Sequence, residues 1–156
     1  MAKIERKFMA HYINAAAPGE EAVYERLGTD LEEYSPNLGA RVQSRLNILG
    51  QQNVIISGYR KTAAVEPYYA EKGSALYERL QQIVDDGLVM ENLKTDVVEV
   101  RLWKNENGSC EAVKEEAYIE VVSYGGDTTG YQIPFKLHFT GVKSYGSYNT
   151  TDGTFG

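Results

Sequence analysis

Apolar and polar residues alternate with a period of two in four stretches of this chain, which predicts strands. In Ala40–Leu49, Val42, Leu46 and Ile48 fall on one face, while Arg41, Gln43, Arg45 and Asn47 fall on the other. Thr95–Trp103 sets Val98, Val100 and Leu102 against Glu99 and Arg101, and Ala117–Tyr124 sets Ile119 and Val121 against Glu120 and Val122. Gln132–Thr140 is the clearest, with Ile133, Phe135, Leu137 and Phe139 opposite Gln132, Lys136 and His138. Pro134 lacks an N–H and lies on the outer face, so this last strand is expected at an edge or with a bulge. Asn53–Arg60 reads as a further strand after the turn Gly50-Gln51-Gln52, and Lys61–Val65 extends or pairs with it before Pro67. Asn105-Glu106-Asn107-Gly108 is a hairpin turn, because Asn-Gly accepts positive φ at both central positions.

A period of 3.6 appears once. In Ser74–Asp86, Leu76, Leu80, Ile83 and Val84 share a helical face, Ser74 suits the N-cap, and Gly87 suits the left-handed position past the end. One short amphipathic helix cannot bury its own stripe and must lie on a sheet, here through Leu76, Leu80 and Ile83. Strands, one helix, then more strands joined by hairpins predict a β-rich α+β fold: an antiparallel β-sandwich or barrel with one flanking α-helix. Residues 1–156 suit one domain. Lys3–Tyr12 is a weak strand candidate, and 15–19 reads as a flexible joint. Residues 20–39 read as a long, partly ordered arm, and 146–156, at the end of a stretch rich in Gly, Ser, Thr and Tyr, as a flexible tail.

Composition narrows the function classes. A net charge of −6, with acids spread along the chain, argues against a groove that grips phosphates. The single Cys110 excludes an internal disulfide. No apolar run approaches the roughly 20 residues of a membrane span, and Ile4-Glu5-Arg6-Lys7 shows no signal-peptide stretch. A cytosolic origin with no membrane partner is therefore expected. The 12 tyrosines against 4 phenylalanines suit strand surfaces and protein interfaces.

No constellation for chemistry emerges. His11 and His138 read as surface residues, and Cys110 has no basic neighbour to activate it. Neighbouring carboxylates such as Glu115-Glu116 point to opposite faces of a strand and read as solvated surface. The glycine loop at 123–131 lacks a P-loop lysine and leads into a strand, so it reads as a connection. No catalytic residue, metal or cofactor is expected. Attention passes instead to the strand edges, whose unpaired backbone groups can be satisfied by copies of the same chain.

Several segments together resemble one known family. Tyr24-Glu25-Arg26-Leu27-Gly28, Asp30-Leu31-Glu32-Glu33-Tyr34, Asn47-Ile48-Leu49-Gly50 and Val65-Glu66-Pro67-Tyr68-Tyr69-Ala70 precede the most specific stretch, Ser123-Tyr124-Gly125-Gly126-Asp127-Thr128-Thr129-Gly130-Tyr131-Gln132-Ile133-Pro134-Phe135. In this order, over about residues 3–145, the chain resembles the major tail proteins, or tail tube proteins, of siphophages and prophages of Firmicutes. The resemblance implies a structural protein of the virion tail, assembled in the host cytoplasm, whose copies form stacked rings of six around a tape-measure protein. Tail terminator and distal tail proteins would be further partners, and DNA would pass through the lumen without specific binding. Within that picture, Leu31, Glu32, Glu33, Tyr34, Ser35, Pro36, Asn37 and Leu38 are the expected ring-to-ring contact. A net-negative lumen is also expected, although Arg41 and Arg45 on a strand suited to line it fit poorly unless acids pair with them or that strand faces outward. The alternatives are the tube protein of a contractile tail or phage-tail-like bacteriocin and, in another class, a monomeric β-sandwich carbohydrate-binding module.

Overall fold

Asn107 (φ 53°) and Gly108 (φ 84°) both adopt the left-handed conformation, and two 13-residue strands leave from this turn. In the computed structural model, which describes all of residues 1–156, these are β6 (Lys94–Glu106) and β7 (Ser109–Val121). Before them come β1 (Met9–Asn14), β2 (Tyr24–Leu27), β3 (Ala40–Leu46), β4 (Gln52–Tyr59), β5 (Thr62–Val65) and helix α1 (Ala75–Asp86). After them come β8 (Gly125–Asp127), β9 (Gly130–Gln132), β10 (Phe135–Asn149) and β11 (Thr154–Phe155). Every pairing is antiparallel. Seven strands form one sheet in the order β11-β10-β7-β6-β1-β2, with β5 beside the start of β10, and this sheet curls into a half-barrel. Two separate hairpins, β3–β4 and β8–β9, complete the chain.

The sheet buries side chains on both faces. On β6, Thr95 and Val97 point one way, Val98 and Val100 the other, and all four are buried. One face carries Ile13, Ala117, Ile119, Phe135 and Leu137, and α1 covers it with Leu76, Leu80 and Ile83. The opposite face holds Ala10, Val98, Val100, Cys110 and Ala112 around Tyr148, which stacks on Tyr12 at 4.5 Å and meets Tyr24 edge-on. Several of the abundant tyrosines thus serve the core, where a flat ring fills much volume per rotatable bond.

Two charged side chains fix the helix on the sheet. Glu25, on edge strand β2, accepts from Ala75 N at 2.8 Å and from Ser74 Oγ at 2.9 Å, so its carboxylate sits at the positive end of α1. Ser74 Oγ in turn caps Tyr77 N, and Gly87 closes the other end at φ 59°. Arg79 lies buried beneath the helix and donates to the carbonyls of Ala16 (2.7 Å), Lys94 (2.5 Å) and Asn14 (3.4 Å). Asn14 ends β1, Ala16 lies just past it and Lys94 begins β6, so the guanidinium ties the helix to backbone carbonyls at these strand ends.

The helix boundaries agree with the pattern of the sequence, but several expectations require correction. Of the antiparallel sandwich or barrel expected with one flanking helix, the structure shows a mostly antiparallel sheet curled into a half-barrel, with one helix. Met9–Asn14 is a well-paired strand between β2 and β6, built from residues whose burial on both faces masks any alternation. Residues 20–39, expected as a partly ordered arm, hold strand β2 and are tied to the body by the buried Leu27 and Tyr34, with the remainder irregular. The supposed C-terminal tail is strand: β10 continues to Asn149, Tyr148 is 2% exposed, and β11 folds back on it. Gly146 faces a close neighbour there: a Cβ on it would meet the Gly156 carbonyl at 2.5 Å. Pro134 precedes β10, which is an interior strand at its start, between β5 and β7, and shifts register between Phe139 and Lys143. Truncating the helix anchor, Leu80→Ala, should cost about 2–5 kcal/mol, read as a lowered thermal midpoint with the far-ultraviolet spectrum retained.

Candidate assembly surface

The β3–β4 hairpin stands away from the sheet, and every residue of both strands is exposed or nearly so. Its register places Val42 opposite Ile56, Ser44 opposite Val54 and Leu46 opposite Gln52. That face is apolar: Val42, Leu46, Val54 and Ile56 are 58%, 75%, 63% and 56% exposed. Ile48 and Leu49 at the tip are still more exposed. The reverse face carries Arg41, Gln43 and Arg45 with Asn53 and Ile55. Two strands alone are marginal in water, and an apolar patch of this extent marks a contact surface.

The hairpin has a fixed root. Arg60 N donates to the Gly39 carbonyl at 3.0 Å, and Gly39 holds φ +58° with its α-carbon so close to Arg60 that a Cβ would lie 2.2 Å from the carbonyl oxygen. Only glycine fits there. Asn37 and Thr62 exchange backbone hydrogen bonds of 2.7 and 2.9 Å just below, which joins this root to β5.

Leu31–Leu38 leads directly into that root. Tyr34 is buried against the core and Leu31 packs on it partly, while Glu32, Glu33, Ser35, Asn37 and Leu38 are exposed and Pro36 is half-buried. Arg6 pins the segment by donating to the Tyr34 carbonyl at 2.9 Å. The eight residues therefore divide between anchors and outward-facing positions. Leu76, Leu80 and Ile83 lie far from this surface in function: they are core.

Sheet edges form the second part of the surface. On the outer side of β10, β5 pairs with Phe135–His138 and β11 with Tyr148–Asn149, leaving Val142–Tyr145 with no strand beside them. Val142 and Tyr145 are 59% and 76% exposed. Across the sheet, β1 ends its pairing at Arg101, and β6 runs on to Glu106 with that flank open. Two different open edges on one subunit permit head-to-tail joining, the kind that closes into rings.

Between these regions the sheet carries a buried polar cluster. Lys61 Nζ meets Glu115 at 2.7 Å and Glu99 at 3.6 Å, and also lies over the Phe139 ring. His11 Nε2 accepts a hydrogen bond from the Arg6 guanidinium (2.9 Å), and its Nδ1, 3.8 Å from Glu99, has no hydrogen-bond partner. The surface placement expected for His11 and Glu115 is corrected: both are buried, His11 against the Tyr34 ring and Arg6, and Glu115 against Lys61. Only His138, which meets Glu120 at 2.6 Å, lies in the open. Burial, then the charges of Arg6, Lys61 and Arg26, hold the His11 imidazole at about 4 against an ordinary 6.5. Burial also pushes the Cys110 thiol up, which keeps it inert.

No protein-family model and no curated protein matches the chain. Among solved structures it is similar to a subunit of the SPP1 tail tube, determined by solid-state NMR and cryo EM. The superposition has a TM-score of 0.64 and covers 92% of this chain and 80% of that one, at 19% identity. The fold is similar to that of a phage tail tube. At this identity the likeness extends to the course of the chain and leaves individual contacts to the residues themselves.

The buried imidazole has a measurable consequence. Unfolded His11 takes up a proton near pH 6.5, whereas the folded chain resists until about pH 4. Stability should therefore fall as pH drops through that window, by roughly 3 kcal/mol from this group, and level off below it. Chemical denaturation at several pH values should show this slope, and His11→Gln should flatten it.

Proposed function

We propose that this protein is the major tail protein of a long-tailed bacteriophage or prophage. Its copies join into six-membered rings, and the rings stack into the hollow tail tube of the virion. The carrying observation is the β3–β4 hairpin, a ribbon with an apolar face that nothing in its own chain covers, on a fold similar to a tail tube subunit. Burying Val42, Leu46, Val54 and Ile56 against another copy would favour association by about 1.5–3 kcal/mol per side chain before the entropy of joining is counted.

Ring formation uses the two open edges. The Val142–Tyr145 flank of one subunit would meet an open flank of the next, which satisfies backbone groups on both and continues the sheet around the axis. The exposed members of Leu31–Leu38, namely Glu32, Glu33, Ser35, Asn37 and Leu38, would touch the adjacent ring together with the hairpin whose root they adjoin. A tape-measure protein would occupy the lumen during assembly, with tail terminator and distal tail proteins at the ends. DNA would then travel a lumen that carries net negative charge and so does not hold phosphates.

Purified protein examined by negative-stain electron microscopy should show rings or tubes. Val54→Asp combined with Ile56→Asp should leave the thermal midpoint nearly unchanged, because both side chains are already exposed, while abolishing these objects. A wild-type chain that sediments as a 17.4 kDa monomer at high concentration would reject the proposal in favour of a binding module.

A further inference from the structure

The hairpin differs in charge from the body it projects from. Residues 40–60 contain Arg41, Arg45 and Arg60 and no acid, a local +3 within a chain of net −6, which leaves −9 on the remainder. Arg41 and Arg45 share the face opposite the apolar one, and no intramolecular ion pair reaches either. A strand lined with unpaired arginines needs acids from elsewhere.

One surface of the body supplies them. A groove runs between α1 and the segment that follows β1, with an alanine floor, Glu20 and Glu21 on one rim, and Glu78, Asp85 and Asp86 on the other. All five carboxylates are exposed, and Asp85 alone has a side-chain partner, the Gln81 amide at 2.9 Å. Arg79, the only base among the lining residues, is buried and committed to backbone carbonyls. The groove is thus acidic with no compensating cation at its surface.

The spacings agree. Four residues of strand set Arg41 and Arg45 ~13 Å apart, and eight residues of helix set Glu78 and Asp86 ~12 Å apart along one side of α1. Resting on the assembly reading above, we propose that the hairpin of one copy lies along the α1 groove of a second copy, with Arg41 and Arg45 against these carboxylates. The apolar face points the opposite way, so it meets a different surface and the two contacts do not compete. This pairing also removes the arginines from the lumen's charge. Interfacial charge pairs of this kind select the partner and register more than they add raw affinity.

Charge exchange tests the contact. Arg41→Glu with Arg45→Glu, and separately Glu78→Lys with Asp86→Lys, should each raise the concentration needed for tube formation at least tenfold while circular dichroism and the thermal midpoint stay near wild type. A chain carrying all four substitutions should assemble again, and an equimolar mixture of the two double variants should form tubes that neither forms alone. Normal assembly of the arginine variant, or folded variants that recover in neither the combined chain nor the mixture, would overturn the proposal. Failure of the unmodified chain to assemble would instead reject the tube reading itself.

Discussion

A two-stranded ribbon of β-sheet hides neither face from water, and the hairpin of this protein is such a ribbon with its whole length exposed. Its apolar face loses free energy for every side chain left in solvent, and the fold makes no attempt to cover it. Gly39 and the Asn37–Thr62 bridge give it a defined exit from the body, so it is presented in a set direction. Other features make sense as support for that presentation. The sheet is stiffened by burial on both faces, α1 is locked by Glu25 and Arg79, and the polar cluster around Lys61 holds β5 beside the hairpin root.

The same economy appears in the charges. Arginines concentrate on the projecting element and carboxylates on the body, an arrangement that does little for a solitary subunit and favours contact between unlike surfaces of two copies. Buried charges, by contrast, are paired or given to carbonyls, as Lys61 and Arg79 show. Elsewhere on the surface charges do pair within the chain, as Arg101 with Glu111 and His138 with Glu120 do, so the unpaired arginines of the hairpin stand apart.

Much of this was legible in the sequence where one physical signal dominated. Ser74, the Leu76–Ile83 stripe and Gly87 define a helix through capping and periodicity that no tertiary contact overrides. Asn107-Gly108 likewise fixes the β6–β7 hairpin. The β3 alternation was visible too, but alternation alone does not say whether an apolar face meets the chain's own core or another surface. The projecting element was sought instead in the loop-like residues before it, where Tyr34 turns out to be core. Nothing local marks Tyr148 as buried amid glycines and serines, because its partners Tyr12 and Tyr24 are more than a hundred residues away. His11 and Glu115 were hidden for a similar reason: Tyr34 and Lys61, which pack on them, are 23 and 54 residues away.

Hydrogen–deuterium exchange compares the hairpin directly in its two situations. Backbone amides of Ala40–Tyr59 should exchange quickly in dilute protein and slow by orders of magnitude on concentration, while those of β6 and β7 stay slow in both. Hairpin amides that exchange equally fast at every concentration would mean that no second copy ever covers the ribbon, and the account would be wrong.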